Sequence, residues 1–153
     1  MKAAWGPAVK QQLRRTTNLR GYDMQTTAVN SERASILVVD DDESSRDPLA
    51  YCLRKQYICA TAATAEEAMA VLEGRFFDVV MTDVDMPDAS GLELCRHIRK
   101  TYPDTIVLVI SARVDSRNRI KALQHGAFDY VSKPFDLKNV ARLIDYALLP
   151  PSA

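Results

Sequence analysis

Cysteine is scarce in this sequence of 153 residues, and its spacing argues against two kinds of site. The three cysteines, Cys52, Cys59 and Cys95, include no CxxC pair. Zinc sites and disulfide frameworks depend on close or repeated cysteine spacings, so neither is expected. Buried structural thiols in a reducing compartment are the better interpretation, which predicts a cytoplasmic location.

Glycine and long apolar runs are also lacking. The five glycines form neither a GxGxxG nor a P-loop pattern, which argues against a nucleotide-binding module. No apolar run approaches the roughly 18 residues that a membrane span needs, so no membrane association is expected.

Charge is balanced overall but divided unevenly along the chain. Residues 1–33 carry six basic and two acidic side chains, a net charge of +4, so the remainder carries −4. Residues 1–34 show no sustained hydrophobic period, and their basic, polar composition predicts a disordered extension, a linker or an early start codon. The alternative is a docking arm for an acidic partner.

From Ser35 onward, short β-branched apolar runs alternate with amphipathic segments. The apolar runs predict strands at 36–40, 57–62, 78–83, 105–112 and 127–133. The amphipathic segments predict helices at 44–55, 64–74, 90–102, 115–126 and 136–149. Ser44 or Ser45 can cap the first helix, and Thr64 can cap the second. Asp42 and Glu43 are expected to be helix-capping surface acids rather than metal ligands.

Strict alternation of strands and helices with short connections predicts an α/β fold. Right-handed crossovers then give a five-stranded parallel, doubly wound sheet with helices on both faces. One domain is expected over residues 35–149, with a tail at 150–153. That tail is far too short for a DNA-binding helix-turn-helix, so no direct nucleic-acid binding by this chain is expected.

Acidic residues follow two of the predicted strands. Asp40 and Asp41 come directly after the first strand, and Asp83 ends the third. If these strands lie side by side, the three carboxylates converge at one edge of the sheet. Like charges at close range are unfavourable unless a cation neutralises them, and carboxylate oxygens suit Mg²⁺. The sequence therefore predicts a magnesium site.

The same pocket is suited to phosphoryl chemistry. Lys133 follows the fifth strand, where its ammonium group can hold a phosphoryl oxygen across from the carboxylates. A carboxylate at a Mg²⁺ site is a competent nucleophile toward a phosphoryl donor, and the product is an acyl phosphate.

Four linked motifs, ILVVDDDE, DVVMTDVDMPDASGLEL, VISA and GAFDYVSKPFD, resemble the receiver domain of bacterial two-component response regulators. They stand in the family order and spacing over residues 36–148. The resemblance implies a flavodoxin-like fold and a phosphorylation-activated signalling switch. It implies no enzyme beyond self-catalysed phosphorylation and dephosphorylation. The last motif is most similar to receivers that precede ATPase modules in transcriptional activators.

The resemblance also implies roles at the phosphoryl position. Asp83 is the expected phosphoacceptor. Ser111 is expected to donate its hydroxyl to a phosphoryl oxygen, and Lys133 to pair with the phosphoryl group or, without it, with Asp83. The bond from Lys133 to Pro134 is expected to be cis.

The implied Mg²⁺ ligands surround the same carboxylate. Besides Asp83, they are Asp41 directly, Asp40 through water, and the backbone carbonyl of Asp85. Tyr130 matches the aromatic switch position, whose rotamer follows the Ser111 hydroxyl.

Two residues are expected at the mouth of the pocket. Asp85 lies two positions beyond Asp83, and Arg113 lies two beyond Ser111. Their opposite charges could pair across the opening and hinder an attacking water, or Arg113 could contact the phosphoryl group. A solvated, weak surface pair is the simpler alternative.

The resemblance implies two kinds of partner. A histidine kinase or a phosphotransfer protein supplies the phosphoryl group. The face of the fourth helix, fifth strand and fifth helix then changes, and its mixed charges suit a homodimer or another protein target.

The rival prediction is a Mg²⁺-dependent aspartate-nucleophile phosphatase. Such enzymes are similar in combining an Asp nucleophile, Mg²⁺ and Lys on a small doubly wound domain. They typically carry a DxD pair after the first strand. Here the strand-one acids are contiguous, and Asp83 follows the third strand instead.

Overall fold

The computed structural model describes residues 33–113 and 115–150. Five strands form one parallel sheet in the order β2-β1-β3-β4-β5. The strands are β1 (Ser35–Val39), β2 (Ile58–Ala62), β3 (Val79–Asp83), β4 (Ile106–Ser111) and β5 (Asp129–Ser132). The helices are α1 (Glu43–Leu53), α2 (Ala65–Gly74), α3 (Gly91–Thr101), α4 (Ser116–Gln124) and α5 (Leu137–Ala147).

The predicted fold class is confirmed. Every predicted strand and helix is present with ends within two residues of those expected. The predicted extension over residues 1–34 and the tail over 150–153 lie outside the described residues, apart from Arg33, Ala34 and Pro150.

Two apolar cores cover the two faces of the sheet. Helices α2, α3 and α4 pack on one face through residues such as Leu72, Ile98 and Ala122. Helices α1 and α5 pack on the other through residues such as Leu53 and Ile144. Because both faces are covered, the strands read as continuous apolar runs, and the polar groups are left to the strand ends.

Helix capping follows the prediction at α2 and in part at α1. Thr64 Oγ1 accepts a hydrogen bond from the backbone N–H of Glu67 at 3.0 Å, as expected. At α1 the prediction of Asp42 as a capping acid is confirmed and that of Ser44 or Ser45 as the cap is wrong, because Asp42 Oδ1 accepts from the N–H of Ser44 at 3.0 Å. Asp42 stands two residues before Ser44, where its carboxylate also interacts favourably with the positive end of the helix.

The cysteines are free thiols, in agreement with their spacing. Cys95 is buried in the core, and burial raises the pKa of its thiol to about 11. Cys52 and Cys59 are half-buried, so the prediction of buried thiols holds fully only for Cys95. None of the helices within the described residues has the length and hydropathy of a membrane-spanning helix.

A glycine permits the close approach of α3 to the end of β3. A Cβ atom on Gly91 would lie 1.9 Å from the carbonyl oxygen of Asp83 and 2.8 Å from its carbonyl carbon. Both are backbone atoms, so the clash could be relieved only by moving α3 or the strand end. The position of Asp83 therefore depends on the absence of a side chain at residue 91.

We predict that Gly91→Ala lowers the free energy of unfolding by about 1–3 kcal/mol, as expected for overpacking against backbone. Gly74→Ala is the matched control, because nothing lies within 4 Å of a Cβ at that helical position. Removing a glycine from α2 should be neutral or stabilising by about 0.5 kcal/mol. Urea denaturation measures both. Equal stability of the two variants would contradict the close-packing argument.

Candidate functional site

The strand order brings three carboxylates to one edge of the sheet. β1 and β3 are hydrogen-bonded neighbours, so Asp40, which follows β1, lies beside Asp83, the last residue of β3. One carboxylate oxygen from each of Asp40, Asp41 and Asp83 lies within 4.8 Å of the others. Asp40 and Asp83 are buried, whereas Asp41 is exposed. The predicted convergence of these residues is therefore present.

Lys133 reaches this cluster from the end of β5. Its Nζ lies 2.7 Å from Asp40 Oδ2 and 3.5 Å from Asp83 Oδ1. The expected partner was Asp83, but the shorter contact is to Asp40, which is also the more deeply buried carboxylate. The Lys133 backbone N–H donates to the carbonyl of Ser111 at 2.7 Å, and the bond to Pro134 is cis as expected.

The charges of the cluster are unbalanced. Burial, followed by the negative charge of Asp40, raises the pKa of Asp83 to about 6, while Lys133 opposes this rise. Burial alone would lower the pKa of Lys133, but the hydrogen bond to Asp40 and the charges of both carboxylates raise it above its ordinary value. One ammonium group thus faces three carboxylates, and the pocket retains an excess of negative charge.

This donor set fits a hard divalent cation. Three carboxylates with oxygens within 4.8 Å of one another offer the oxygen ligands that Mg²⁺ prefers. A bound cation would also offset the repulsion that raises the Asp83 pKa. The exposed carboxylate of Asp41 leaves the cluster open to solvent on one side.

Ser111 and Tyr130 both hold the start of the segment after β4. Ser111 ends β4 in full burial, and its Oγ accepts a hydrogen bond from the N–H of Arg113 at 3.0 Å. The hydroxyl of Tyr130 donates to the carbonyl oxygen of Arg113 at 2.8 Å. The two predicted residues are thus linked through one backbone residue rather than through direct contact.

An ion pair lies across the mouth of the pocket. Arg113 Nε is 3.4 Å from Asp85 Oδ2, with side chains 67% and 56% exposed respectively. The pair bridges the segment after β3 and the segment after β4, which flank Asp83. Its exposure means that its strength is small and depends on salt.

Several contacts of the site were not predicted. Arg46 Nη1 donates to the Asp40 carbonyl at 3.2 Å, and the Asp42 N–H donates to Asp40 Oδ1 at 3.0 Å. Asp88 accepts hydrogen bonds from the start of α2. The sequence gives only a weak signal for this contact, because Asp88 lies in the connection between β3 and α3 and its partner Glu66 is 22 residues away in sequence.

The face formed by α4, β5 and α5 carries exposed apolar side chains in addition to the mixed charges that were expected there. Phe128 and Tyr146 form an aromatic pair with ring centroids 6.0 Å apart. Tyr146 is 65% exposed, and Ile120 and Leu149 are also exposed. Among the charged side chains of this face, Arg119 Nη2 and Asp129 Oδ1 lie 3.9 Å apart.

Comparison with known proteins agrees with this geometry. Residues 36–145 match the family model described as the response regulator receiver domain. The chain is 43% identical over 122 residues to the DNA-binding transcriptional regulator NtrC of Rhizobium meliloti, covering 77% of this chain and 25% of the relative. The chain therefore spans about a quarter of the length of the curated relatives it matches.

Two solved receiver domains share the fold. The BeF3-activated DrrB receiver domain is 33% identical with a TM-score of 0.72, over 76% of this chain and 97% of that one. The beryllofluoride-activated NtrC4 receiver domain dimer is 34% identical with a TM-score of 0.71, over 74% and 95%. The rival prediction of an aspartate-nucleophile phosphatase finds no support in these comparisons.

The parallel sheet, the carboxylate cluster at the ends of β1 and β3, and the match over residues 36–145 agree with one another. The chain belongs to the family of response regulator receiver domains, which act as signalling switches in two-component systems.

Proposed function

We propose that Asp83 is the phosphoacceptor of this switch. The observation that carries the proposal is the position of Asp83 at the end of the central strand β3. There its buried carboxylate lies 3.5 Å from the Lys133 ammonium group and within the acidic cluster. Strand-end carboxylates often serve as helix caps, but the carboxylate of Asp83 has no helix N-terminal partner among its described hydrogen bonds.

Mg²⁺ would be held by Asp41 directly, by Asp40 through water, by the Asp83 carboxylate and by the backbone carbonyl of Asp85. When bound, it would neutralise charge on the transferring phosphoryl oxygens. The three carboxylates that the sheet gathers support this assignment.

The residues of the chain then position the reaction. A carboxylate oxygen of Asp83 attacks phosphorus of a phosphohistidine. The new O–P bond forms as the P–N bond breaks, and the electron pair leaves on the imidazole nitrogen. Lys133 moves from Asp40 toward the new phosphoryl oxygens, and Ser111 donates its hydroxyl to one of them. Attack by water later releases phosphate and restores the carboxylate. In this cycle the chain catalyses the phosphorylation and dephosphorylation of its own side chain.

A groove beside Lys133 supports a protein as the phosphoryl donor. It runs between α1 and the segment after β5, so a partner seated there lies next to the acceptor pocket. It is lined by Ser44, Ser45, Pro48, Leu49, Ala112, Lys133, Pro134, Phe135 and Leu137. We assign this groove to a histidine kinase or phosphotransfer protein, which fits the donor chemistry above.

Tyr130 connects the acceptor pocket with the face formed by α4, β5 and α5, which we propose as the surface that changes on phosphorylation. When Ser111 turns toward a phosphoryl oxygen, its bond to the Arg113 N–H is exchanged, and the Tyr130 contact on the same residue is free to change. Tyr130 belongs to β5, between α4 and the exposed pair of Phe128 and Tyr146. We propose that this face binds a second copy of the domain or another protein target; the similar NtrC4 receiver domain forms a dimer when activated by beryllofluoride.

We place the switch domain at residues 35–149, in agreement with the 36–145 family match, and treat residues 1–34 as a separate basic extension. The cytoplasmic location of the protein stays a prediction, as does the absence of direct nucleic-acid binding by this chain.

Incubation with acetyl phosphate and Mg²⁺ should add about 80 Da, the mass of one phosphoryl group on a carboxylate. Intact mass spectrometry should show no gain with EDTA or for Asp83→Asn. Asp47→Asn is the control, because Asp47 is exposed on α1 and pairs with Arg46. A label that persists in Asp83→Asn would contradict the proposed acceptor.

Arg113→Ala should shorten the lifetime of the phosphorylated form by about two- to fivefold, the range that an exposed ion pair can supply. If the pair with Asp85 shields the phosphoryl group from water, Asp85→Asn should shorten it equally. If Arg113 contacts the phosphoryl group, only Arg113→Ala should have an effect. Arg117→Ala, an exposed arginine on α4, is the control. An unchanged lifetime in Arg113→Ala would leave the pair as a solvated surface contact.

Beryllofluoride with Mg²⁺ should convert the wild-type chain to a dimer in sedimentation velocity. Tyr146→Glu should keep it monomeric, because a charge would replace an exposed aromatic ring in the interface. Tyr51→Glu changes a tyrosine of similar exposure, 68%, on α1, and this variant should dimerise as the wild type does. Dimerisation of Tyr146→Glu would exclude this face from the contact.

A further inference from the structure

The segment from residue 84 to 90 carries the Asp85 carbonyl and connects Asp83 to α3. It is closed internally by a hydrogen bond from the Gly91 N–H to the Val84 carbonyl, at 2.8 Å. Met86 and Ala89 pack against the core under α2 and α3. We call this segment the acceptor loop. Its N-terminal end is tied to β4 by the hydrogen bond from the Val84 N–H to the Ile110 carbonyl, and its contact with α2 is made by Asp88.

Asp88 binds the first turn of α2 with both carboxylate oxygens. Oδ1 accepts from the Ala65 N–H at 3.2 Å, and Oδ2 accepts from the Glu66 N–H at 3.0 Å. These are two of the four N–H groups that a helix cannot satisfy by itself. The hydrogen bond from Glu66, followed by that from Ala65, lowers the pKa of Asp88 against its slight desolvation. The bound form is therefore the carboxylate, which the positive end of the helix also favours.

Helix α2 does not need Asp88 as its cap. Thr64 already accepts from the Glu67 N–H at 3.0 Å, and the Glu67 carboxylate accepts from the Ala63 N–H at 3.0 Å. These contacts are local to α2 and would start the helix in any case. What Asp88 adds is a connection between the helix and the acceptor loop.

We propose that Asp88 is a positioning residue, which fixes the acceptor loop to α2 and thereby sets the affinity for Mg²⁺ through the Asp85 carbonyl. The inference rests on the metal site of the proposed function. Asp88 lies three residues beyond Asp85, so its anchor restrains the peptide that presents this ligand. A carbonyl held in place binds a cation without first losing conformational freedom, whereas a free loop must be ordered on binding.

The test compares two losses at the same helix end. Asp88→Ala removes the contact to the loop, and Thr64→Ala removes a cap of the same helix without touching the loop. Calorimetric titration with Mg²⁺ should show a loss of affinity of about tenfold in Asp88→Ala, the low end for residues that orient metal ligands. Thr64→Ala should bind as the wild type does. Asp88→Asn should be intermediate, because its single amide oxygen can replace one of the two contacts.

A measurement without metal examines the loop directly. Hydrogen exchange of the Gly91 amide, which closes the acceptor loop, should be faster in Asp88→Ala than in the wild type and unchanged in Thr64→Ala. Unchanged Gly91 exchange in Asp88→Ala would overturn the inference, as would an equal loss of Mg²⁺ affinity in both alanine variants.

The Mg²⁺ site and the role of Asp88 in holding the acceptor loop can be overturned by different results. A wild-type chain that binds Mg²⁺ no better than Asp41→Asn would overturn the metal site itself. The exchange of Gly91 would then still confirm or overturn Asp88 as the residue that holds the loop.

Discussion

One ammonium group shared between two buried carboxylates is the interaction on which the pocket depends. Asp40 and Asp83 end neighbouring strands, so the parallel sheet forces their charges together whether or not a ligand is bound. Lys133 offsets that repulsion from the far edge of the sheet, at 2.7 Å and 3.5 Å, and its backbone is held by Ser111. Residues from the ends of β1, β3, β4 and β5 therefore meet around this one ammonium group and its backbone.

In the proposed switch, phosphorylation works by redistributing these contacts. A phosphoryl group on Asp83 competes with Asp40 for Lys133 and with the Arg113 N–H for Ser111. Each exchange replaces one hydrogen bond by another, so the net bias is no larger than the net contribution of one or two hydrogen bonds. A small bias is sufficient, because a coupling of about 1–3 kcal/mol shifts a balanced two-state equilibrium by one or two orders of magnitude.

The sheet and the acidic cluster were predictable because each rests on a short-range rule. Apolar runs that alternate with amphipathic helices specify a parallel sheet, and parallel strands present their last residues at one edge, so Asp83 lies beside Asp40 once β1 and β3 are neighbours. The sequence is ambiguous where several side chains could make the same contact. Asp42 and Ser44 can both cap a helix, and Lys133 can pair with either of two carboxylates. The role of Asp88 depends on a tertiary contact with α2 and has no local signal.

The two segments that flank Asp83 are held in different ways, and in the proposed switch this difference would give the response a direction. The acceptor loop is fixed by the close approach of Gly91 to the Asp83 backbone, by core packing and by the contact of Asp88 with α2. The other segment follows β4 and contains Arg113, whose polar contacts with the described residues run to Ser111, Tyr130 and Asp85, all residues of the site itself. A change at Asp83 can alter these contacts without unfolding a helix cap or displacing a core. The side of α2 and α3 is thus suited to keeping the metal ligands in place, whereas the side of α4 and β5 is suited to carrying the response.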